Sequence, residues 1–224
     1  MGVTRHAEFA MASGEMTNDE FIAFLVTIFG LLKQYSKNGS LHYIFMDWRH
    51  LEEILKAGGQ VYDELKNLIV WSKSAGGMGS FYRSAHELVC LFKSGSGSHT
   101  NNVQLGRHGR NRTNVWNYAG ANQLSTGEEG RLVQDHPTPK PVRLIADAIL
   151  DCTARNDIVL DCFLGIGSTL IAAQRVGRIC YGLEIEPRYV DIAIRRWQAF
   201  TGENAIDAES GRTFDEMSVA AGEQ

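Results

Sequence analysis

An α/β fold with a mostly parallel sheet that includes an antiparallel strand pair is what this sequence predicts, on three observations. Residues 156–189, NDIVLDCFLGIGSTLIAAQRVGRICYGLEIEPRY, read in order as strand, glycine turn, helix, strand and acid, which is a βαβ unit. Phe21, Phe24, Leu25, Ile28, Leu31 and Leu32 recur at helical spacing. Three further runs, 40–47, 67–72 and 86–93, are rich in β-formers and bounded by turn residues.

Taken in order, Met1 to Met16 shows no period and reads as a loop. Thr17 with Glu20 spells a capping box, so a helix starts there and runs to about Tyr35. Asn38-Gly39 turns the chain into strand 40–47. Trp48 to Ala57 reads as a helix stopped by Gly58-Gly59. Strands 67–72 and 86–93 follow, joined by a glycine-rich loop.

Around that loop lie Trp71, Lys73, Tyr82, Arg83, His86 and Glu87. An aromatic beside cations can stack a base or grip phosphate. Core packing for Trp71 and solvated loop charges for Lys73 and Arg83 are the competing reading. From Ser94 to Tyr118 the pattern gives way to Gly, Ser, Asn and Thr, with Arg107, Arg110 and Arg112 unaccompanied by acids and Trp116 and Tyr118 behind them. Such a stretch suits DNA contact, since arginine reads guanine edges and phosphates, and equally suits a plain surface loop. His136-Pro137-Thr138-Pro139-Lys140-Pro141 is stiff and opens a helix from Val142 to about Ala154; it reads as a linker or as a carboxylate holder.

In the βαβ unit, strand 157–163 ends in the turn of Gly165 and Gly167. Ser168 and Thr169 are placed to cap the next helix, and Gly177 to end it. Strand 179–184 ends on Glu184, and a helix runs from Pro187 to about Phe200, presenting Tyr189, Ile192, Ile194 and Trp197. The glycines let backbone amides approach a ligand, the helix N-terminus favours electron-rich groups, and an acid ending the second strand can accept two hydrogen bonds from a ribose diol. The dinucleotide fingerprint would put a third glycine at Leu170. A nicotinamide-dependent oxidoreductase is therefore the weaker enzyme reading, and an ordinary tight turn the bland one.

The formal charge of −4 does not exclude nucleic acid, because residues 203–224 hold six acids against Arg212 alone, leaving residues 1–202 at about +1. Cys90, Cys152, Cys162 and Cys180 are isolated in apolar settings, which suits reduced thiols in the cytoplasm and no metal site. The longest apolar run, Phe21 to Leu32, is too short to span a bilayer, and no signal pattern opens the chain.

HPTPKP, then a helix, then DCFLGIGST, with GLEIEPRYVDIAIRRW behind, resembles the cofactor half of the β-group of S-adenosylmethionine-dependent DNA amino-methyltransferases. The resemblance covers most of residues 20–200 and lies in the ordered set of segments. It implies a Rossmann-like methyltransferase fold over residues 1–202, with 94–131 as target-recognition region and 203–224 as a loose acidic tail. It puts the methionine carboxylate near Thr138 and Lys140, and the amino group and sugar near Asp161, Phe163, Gly165 and Gly167, beside Ser168 and Thr169. Glu184 would take the ribose hydroxyls, and Ile185 with Pro187 would border the adenine. Double-stranded DNA would be the partner, met by Lys73, Tyr82, Arg83, Arg107, Arg110, Arg112 and Trp116, as in a bacterial restriction-modification system.

Cys162 departs from the family's usual proline. The larger departure concerns catalysis. The family grips a flipped base with an Asp/Asn/Ser-Pro-Pro-aromatic tetrapeptide, whereas prolines occur here only at 137, 139, 141 and 187. The expectation is a C-terminal part of a longer protein, one central strand short, whose catalytic residues lie outside these 224 positions. A catalytically dead cofactor- or DNA-binding remnant is the alternative, and assembly into oligomers stays open.

Overall fold

The computed structural model describes residues 16–77, 81–107, 111–120 and 139–222. The chain divides into two compact units, Met1–Gly130 with Leu150–Thr153, and Arg131–Ile149 with Ala154–Gln224.

In the first unit, Thr17 caps α1 (Asn18–Gln34) with both arms of the capping box formed. β1 (Leu41–Met46) leads through a 3₁₀ turn at Trp48–His50, capped by Asp47, into α2 (Leu51–Val61). β2 (Glu64–Ser72), β3 (His86–Lys93) and β4 (Val115–Asn117) complete a four-stranded sheet ordered β1-β3-β2-β4. β3 runs antiparallel to both β1 and β2, while β2 and β4 are parallel. The sheet is therefore more evenly mixed than expected, and β4 is a strand in a stretch read as loop. Three residues carry too little alternation to announce a strand, and Val115–Asn117 becomes one by pairing with Val70–Ser72.

The core of this unit holds Leu25 and Phe29 of α1 and Ile54 and Ala57 of α2 against Tyr62, Cys90 and Phe92. Each such Leu or Phe, once removed from water, contributes about 1.5–3 kcal/mol. α2 does not stop at Gly58-Gly59 as expected. A Cβ on Gly58 would lie 2.2 Å from the Phe92 ring, so this glycine serves close packing and the helix passes through it. His42 is buried with its Nδ1 3.0 Å from the Tyr62 hydroxyl.

The second unit contains most of α3 (Val142–Cys152), then β5 (Ile158–Asp161), α4 (Ser168–Val176), β6 (Ile179–Gly182) and α5 (Pro187–Thr201). β5 and β6 pair in parallel from Ile158↔Ile179 to Asp161↔Gly182, as a βαβ unit requires. Ile171, Ala172 and Ala173 of α4 and Tyr189 and Ala193 of α5 are buried. Beyond Thr201 the expectation of loose chain gives way to a bridge between Ile206 and Thr213 and to α6 (Phe214–Gly222). Its start is fixed by a second reciprocal box, in which Glu216 Oε2 accepts from the Thr213 amide and Thr213 Oγ1 from the Glu216 amide.

The last residues of α3 group with the first unit. Asn102 Nδ2 donates to the carbonyls of Leu150 and Thr153, and its own amide donates to Asp151. One asparagine thus serves carbonyls that a helix end leaves without intrahelical donors. No helix among the described residues is long and apolar enough to cross a membrane.

Candidate functional site

The tip of β5 and β6 gathers the carboxylates, the glycines and a hydroxyl within one hydrogen-bonded knot. Asp161 ends β5; its Oδ1 accepts from the Phe163 amide at 3.0 Å and its Oδ2 from the Thr169 hydroxyl at 2.6 Å. The Leu183 amide donates to the Asp161 carbonyl and the Leu164 amide to the Leu183 carbonyl, so both strand ends are laced across the turn. Glu184 faces the same turn. Its Oε2 accepts from the Gly165 amide at 2.7 Å and its Oε1 from the Glu186 amide at 2.9 Å. A carboxylate oxygen carries two acceptor directions, so Glu184 keeps capacity for a diol beyond these two amides.

Gly165 (φ 54°) and Gly167 (φ 81°) both occupy the left-handed region, which L side chains enter at a cost. Gly167 is also the N-cap of α4, with no side-chain cap. This corrects the expected capping by Ser168 and Thr169: Ser168 is buried, and the Thr169 hydroxyl turns to Asp161. Ser168 and Thr169 are the first two residues of the helix itself, past the N-cap position from which a side-chain oxygen accepts the first-turn amides, so the Thr169 hydroxyl is left to donate to the charged acceptor across the turn.

Behind the turn, a Cβ on Gly167 would lie 2.9 Å from Ala193 Cβ, and Arg196 Nη1 donates to the Ile166 carbonyl. Sequence reasoning missed both α5 residues. The signal was the i, i+4, i+7 series Tyr189, Ala193, Arg196; Tyr189 and Ala193 are the helix's buried pair, whereas Ile192, Ile194 and Trp197 are only partly covered.

Phe163 and Ile185 are exposed at 56% and 64% and flank the carboxylates with apolar surface. Burial, with Asp161 adding to it, pushes the Cys162 thiol up to about 11 and the Cys180 thiol up to about 12. Both are neutral at physiological pH and are not nucleophiles. Asp161, Phe163, Gly165, Gly167, Ser168, Thr169, Glu184 and Ile185 are thus brought together. Lys140 is half-buried ahead of α3, and Thr138 lies outside the described residues.

The residues read as DNA contacts divide. Lys73 Nζ sits 2.5 Å from Glu87 Oε1 and 4.8 Å over the Trp71 ring, and Trp71 Nε1 donates to the Tyr118 carbonyl. Arg112 Nε lies 2.7 Å from Asp151 Oδ2, with its guanidinium 4.7 Å over Trp116. Trp116 is 5% exposed and donates to the Thr113 carbonyl. These three make internal contacts: Lys73 with Glu87 of β3, which pairs with β2, Arg112 with Asp151 of α3, and Trp116 within β4 beside β2. Tyr82, packed edge-on to Phe81, and Arg83 and Arg107 are exposed. Arg110 lies outside the described residues.

The family model described as DNA methylase, of the N6/N4 type, matches residues 5–195. Type II methyltransferase M1.MboII of Moraxella bovis is 29% identical over 211 residues, covering 79% of this chain and 79% of that protein. M.BglII of Bacillus subtilis is 41% identical over 95 residues, or 42% of this chain and 24% of that protein. M.ScaI of Streptomyces caespitosus is matched over only 30% of its length, so against several relatives the matched region is well under half of the protein. Among solved structures, the M1.HpyAVI–SAM complex aligns with TM-score 0.65 at 21% identity, over 81% of this chain and 83% of that one. The cytosine-N4-specific PvuII DNA methyltransferase aligns with TM-score 0.69 at 17% identity, over 91% and 78%. At such identities these two carry the fold.

Proposed function

The chain belongs to the N6/N4 DNA methylase family, and on that premise we propose that its second unit holds S-adenosylmethionine for methyl transfer to the exocyclic amino group of adenine or cytosine in double-stranded DNA. The observation that carries the reading is the placing of two carboxylates on one glycine turn, Glu184 accepting from the Gly165 amide and Asp161 from Phe163 and Thr169 on either side of it. When bound, the cofactor would supply an electrophilic methyl on a sulfonium, open to attack by the exocyclic nitrogen, the N–C bond forming as the C–S bond breaks, the neutral thioether leaving with that electron pair and the nitrogen losing a proton to solvent.

The residues fit such a group. Glu184 is anchored by two amides and aims its remaining acceptor capacity at a ribose diol. Asp161, locked by Phe163 and Thr169, offers negative charge to an ammonium or a sugar hydroxyl. Phe163 and Ile185 offer apolar faces for an adenine ring, which stacks on such surfaces. Thr138 and Lys140 are assigned to the methionine carboxylate, and the exposed Tyr82, Arg83 and Arg107, with Arg110, to DNA. No Pro-Pro pair exists in the 224 residues, and no residue among them is assigned to gripping the base.

Isothermal calorimetry with S-adenosylmethionine on the whole chain and on Glu184→Ala tests the cofactor reading. Saturable binding that Glu184→Ala weakens by about tenfold or more supports it, that being the scale of losing a bond to a charged acceptor. Equal affinity of the two proteins, or no heat from the unaltered chain, overturns it.

A further inference from the structure

We infer that Arg196, on the helix behind the glycine turn, is a positioning residue of the cofactor site that fixes the orientation of the Ile166–Gly167 peptide. The inference rests on the cofactor reading above and adds a side chain that reading does not use. Gly165 and Gly167 allow close approach of a ligand because they lack a Cβ and sit at positive φ. The same freedom works against pre-organisation. Turning the Ile166–Gly167 peptide over requires only the ψ of Ile166 and the φ of Gly167 to change, and glycine accepts either sign of φ at little cost.

That one peptide is held at both ends. Its N–H, from Gly167, donates to the Leu164 carbonyl at 3.0 Å, a bond that closes inside the turn. Its carbonyl, from Ile166, accepts from Arg196 Nη1, a bond that comes from 30 residues away on α5. A bond within the turn moves with the turn, whereas a bond from a packed helix refers it to a fixed frame. The donor is charged, which makes it the stronger kind.

The sequence makes this reach possible twice over. Position 167 has no side chain and position 193 has only a methyl, and even one added carbon at 167 would come within 2.9 Å of Ala193. The helix therefore lies close enough for the guanidinium one turn further on to meet the Ile166 carbonyl. The Ile166 side chain is 2% exposed and anchors the other side of the same residue. The consequence extends to Glu184: its amide donor, Gly165, follows Leu164, whose carbonyl takes the Gly167 N–H. A turn that flips at 166–167 releases Leu164 and shifts the amide that orients the ribose acceptor.

The test compares the whole chain with Arg196→Met and Arg196→Lys by calorimetric titration with S-adenosylmethionine and by amide hydrogen exchange of the protein alone. Arg196→Met is expected to weaken cofactor affinity about tenfold and to speed exchange at Gly165 and Gly167 while Ile171–Val176 of α4 stay protected; Arg196→Lys, which keeps a cationic donor, recovers most of both. Unchanged affinity and unchanged turn exchange in Arg196→Met overturn the inference. So does faster exchange spread evenly over the turn, α4 and α5, which would make Arg196 a general fold contact. If the unaltered chain binds no S-adenosylmethionine, the cofactor reading falls, while the exchange pattern still decides whether Arg196 holds the turn. Should Arg196→Met not fold, Arg196→Gln, with a shorter neutral donor, carries the same comparison.

Discussion

Gly58 and Gly59 sit side by side in α2, and replacing each with alanine is expected to move stability in opposite directions. Within a helix, Gly→Ala stabilises by about 0.5–1 kcal/mol, because the unfolded chain loses conformational freedom and the helix gains a better former. Gly59 should show that gain undiluted, since an added Cβ there meets nothing within 4 Å. At Gly58 the same Cβ lies 2.2 Å from Phe92 Cζ and 2.5 Å from Cε1, well inside van der Waals contact. The ring has nowhere to go. Phe92 is 2% exposed, stacked on Tyr62 at 5.0 Å between centroids and tilted against Phe29 at 6.4 Å. Overpacking a filled core costs about 1–3 kcal/mol, which against the helix gain leaves Gly58→Ala net destabilised by up to about 2.5 kcal/mol, with the middle of that range at about 1–2 kcal/mol. Urea denaturation followed by circular dichroism, at the common slope of about 2 kcal/mol per molar, should lower the midpoint by about 0.5–1 M for Gly58→Ala and raise it slightly for Gly59→Ala. Adding Phe92→Leu to Gly58→Ala should cost less than the two changes separately. A Gly58→Ala protein as stable as Gly59→Ala would refute the packing argument and restore the reading of this pair as a helix stop.

Two further outcomes concern the first unit. Burial holds His42 at about 4, below its ordinary 6.5, so the unfolded chain binds the proton more readily. The stability this residue contributes is present above pH 6.5 and lost as pH falls to about 4, on the order of 3 kcal/mol; urea midpoints measured between pH 7 and 4 should fall more steeply for the unaltered chain than for His42→Leu, and parallel curves would contradict it. Thr17→Ala removes the acceptor of the Glu20 amide and the hydroxyl that donates to Glu20 Oε2. It should cost about 1 kcal/mol and speed hydrogen exchange in the first turn of α1, whereas an unshifted melting temperature would show the box to be idle.

The sequence by itself determined what depends on near neighbours. The capping box at Thr17, the helical stripe of Phe21 to Leu32, and the succession of β5, glycine turn, α4 and β6 are all written in spacings of a few residues, where backbone geometry alone decides which side chains meet. For that reason the grouping of Asp161, Gly165, Gly167 and Glu184 around one turn was legible as a candidate site in the spacing alone. Contacts between residues far apart in the chain were decided only by the tertiary structure. Lys73 looked like a free cation until strand pairing set Glu87 beside it, and Trp116 looked like a loop aromatic until Val115–Asn117 joined the sheet next to β2. Gly58 looked like a stop until Phe92 arrived above it, and Arg196 had no stated purpose until α5 lay against the turn. A local spacing fixes which face a side chain shares with its neighbours along the chain, but a cation, an aromatic or a glycine serves whatever the fold brings opposite it.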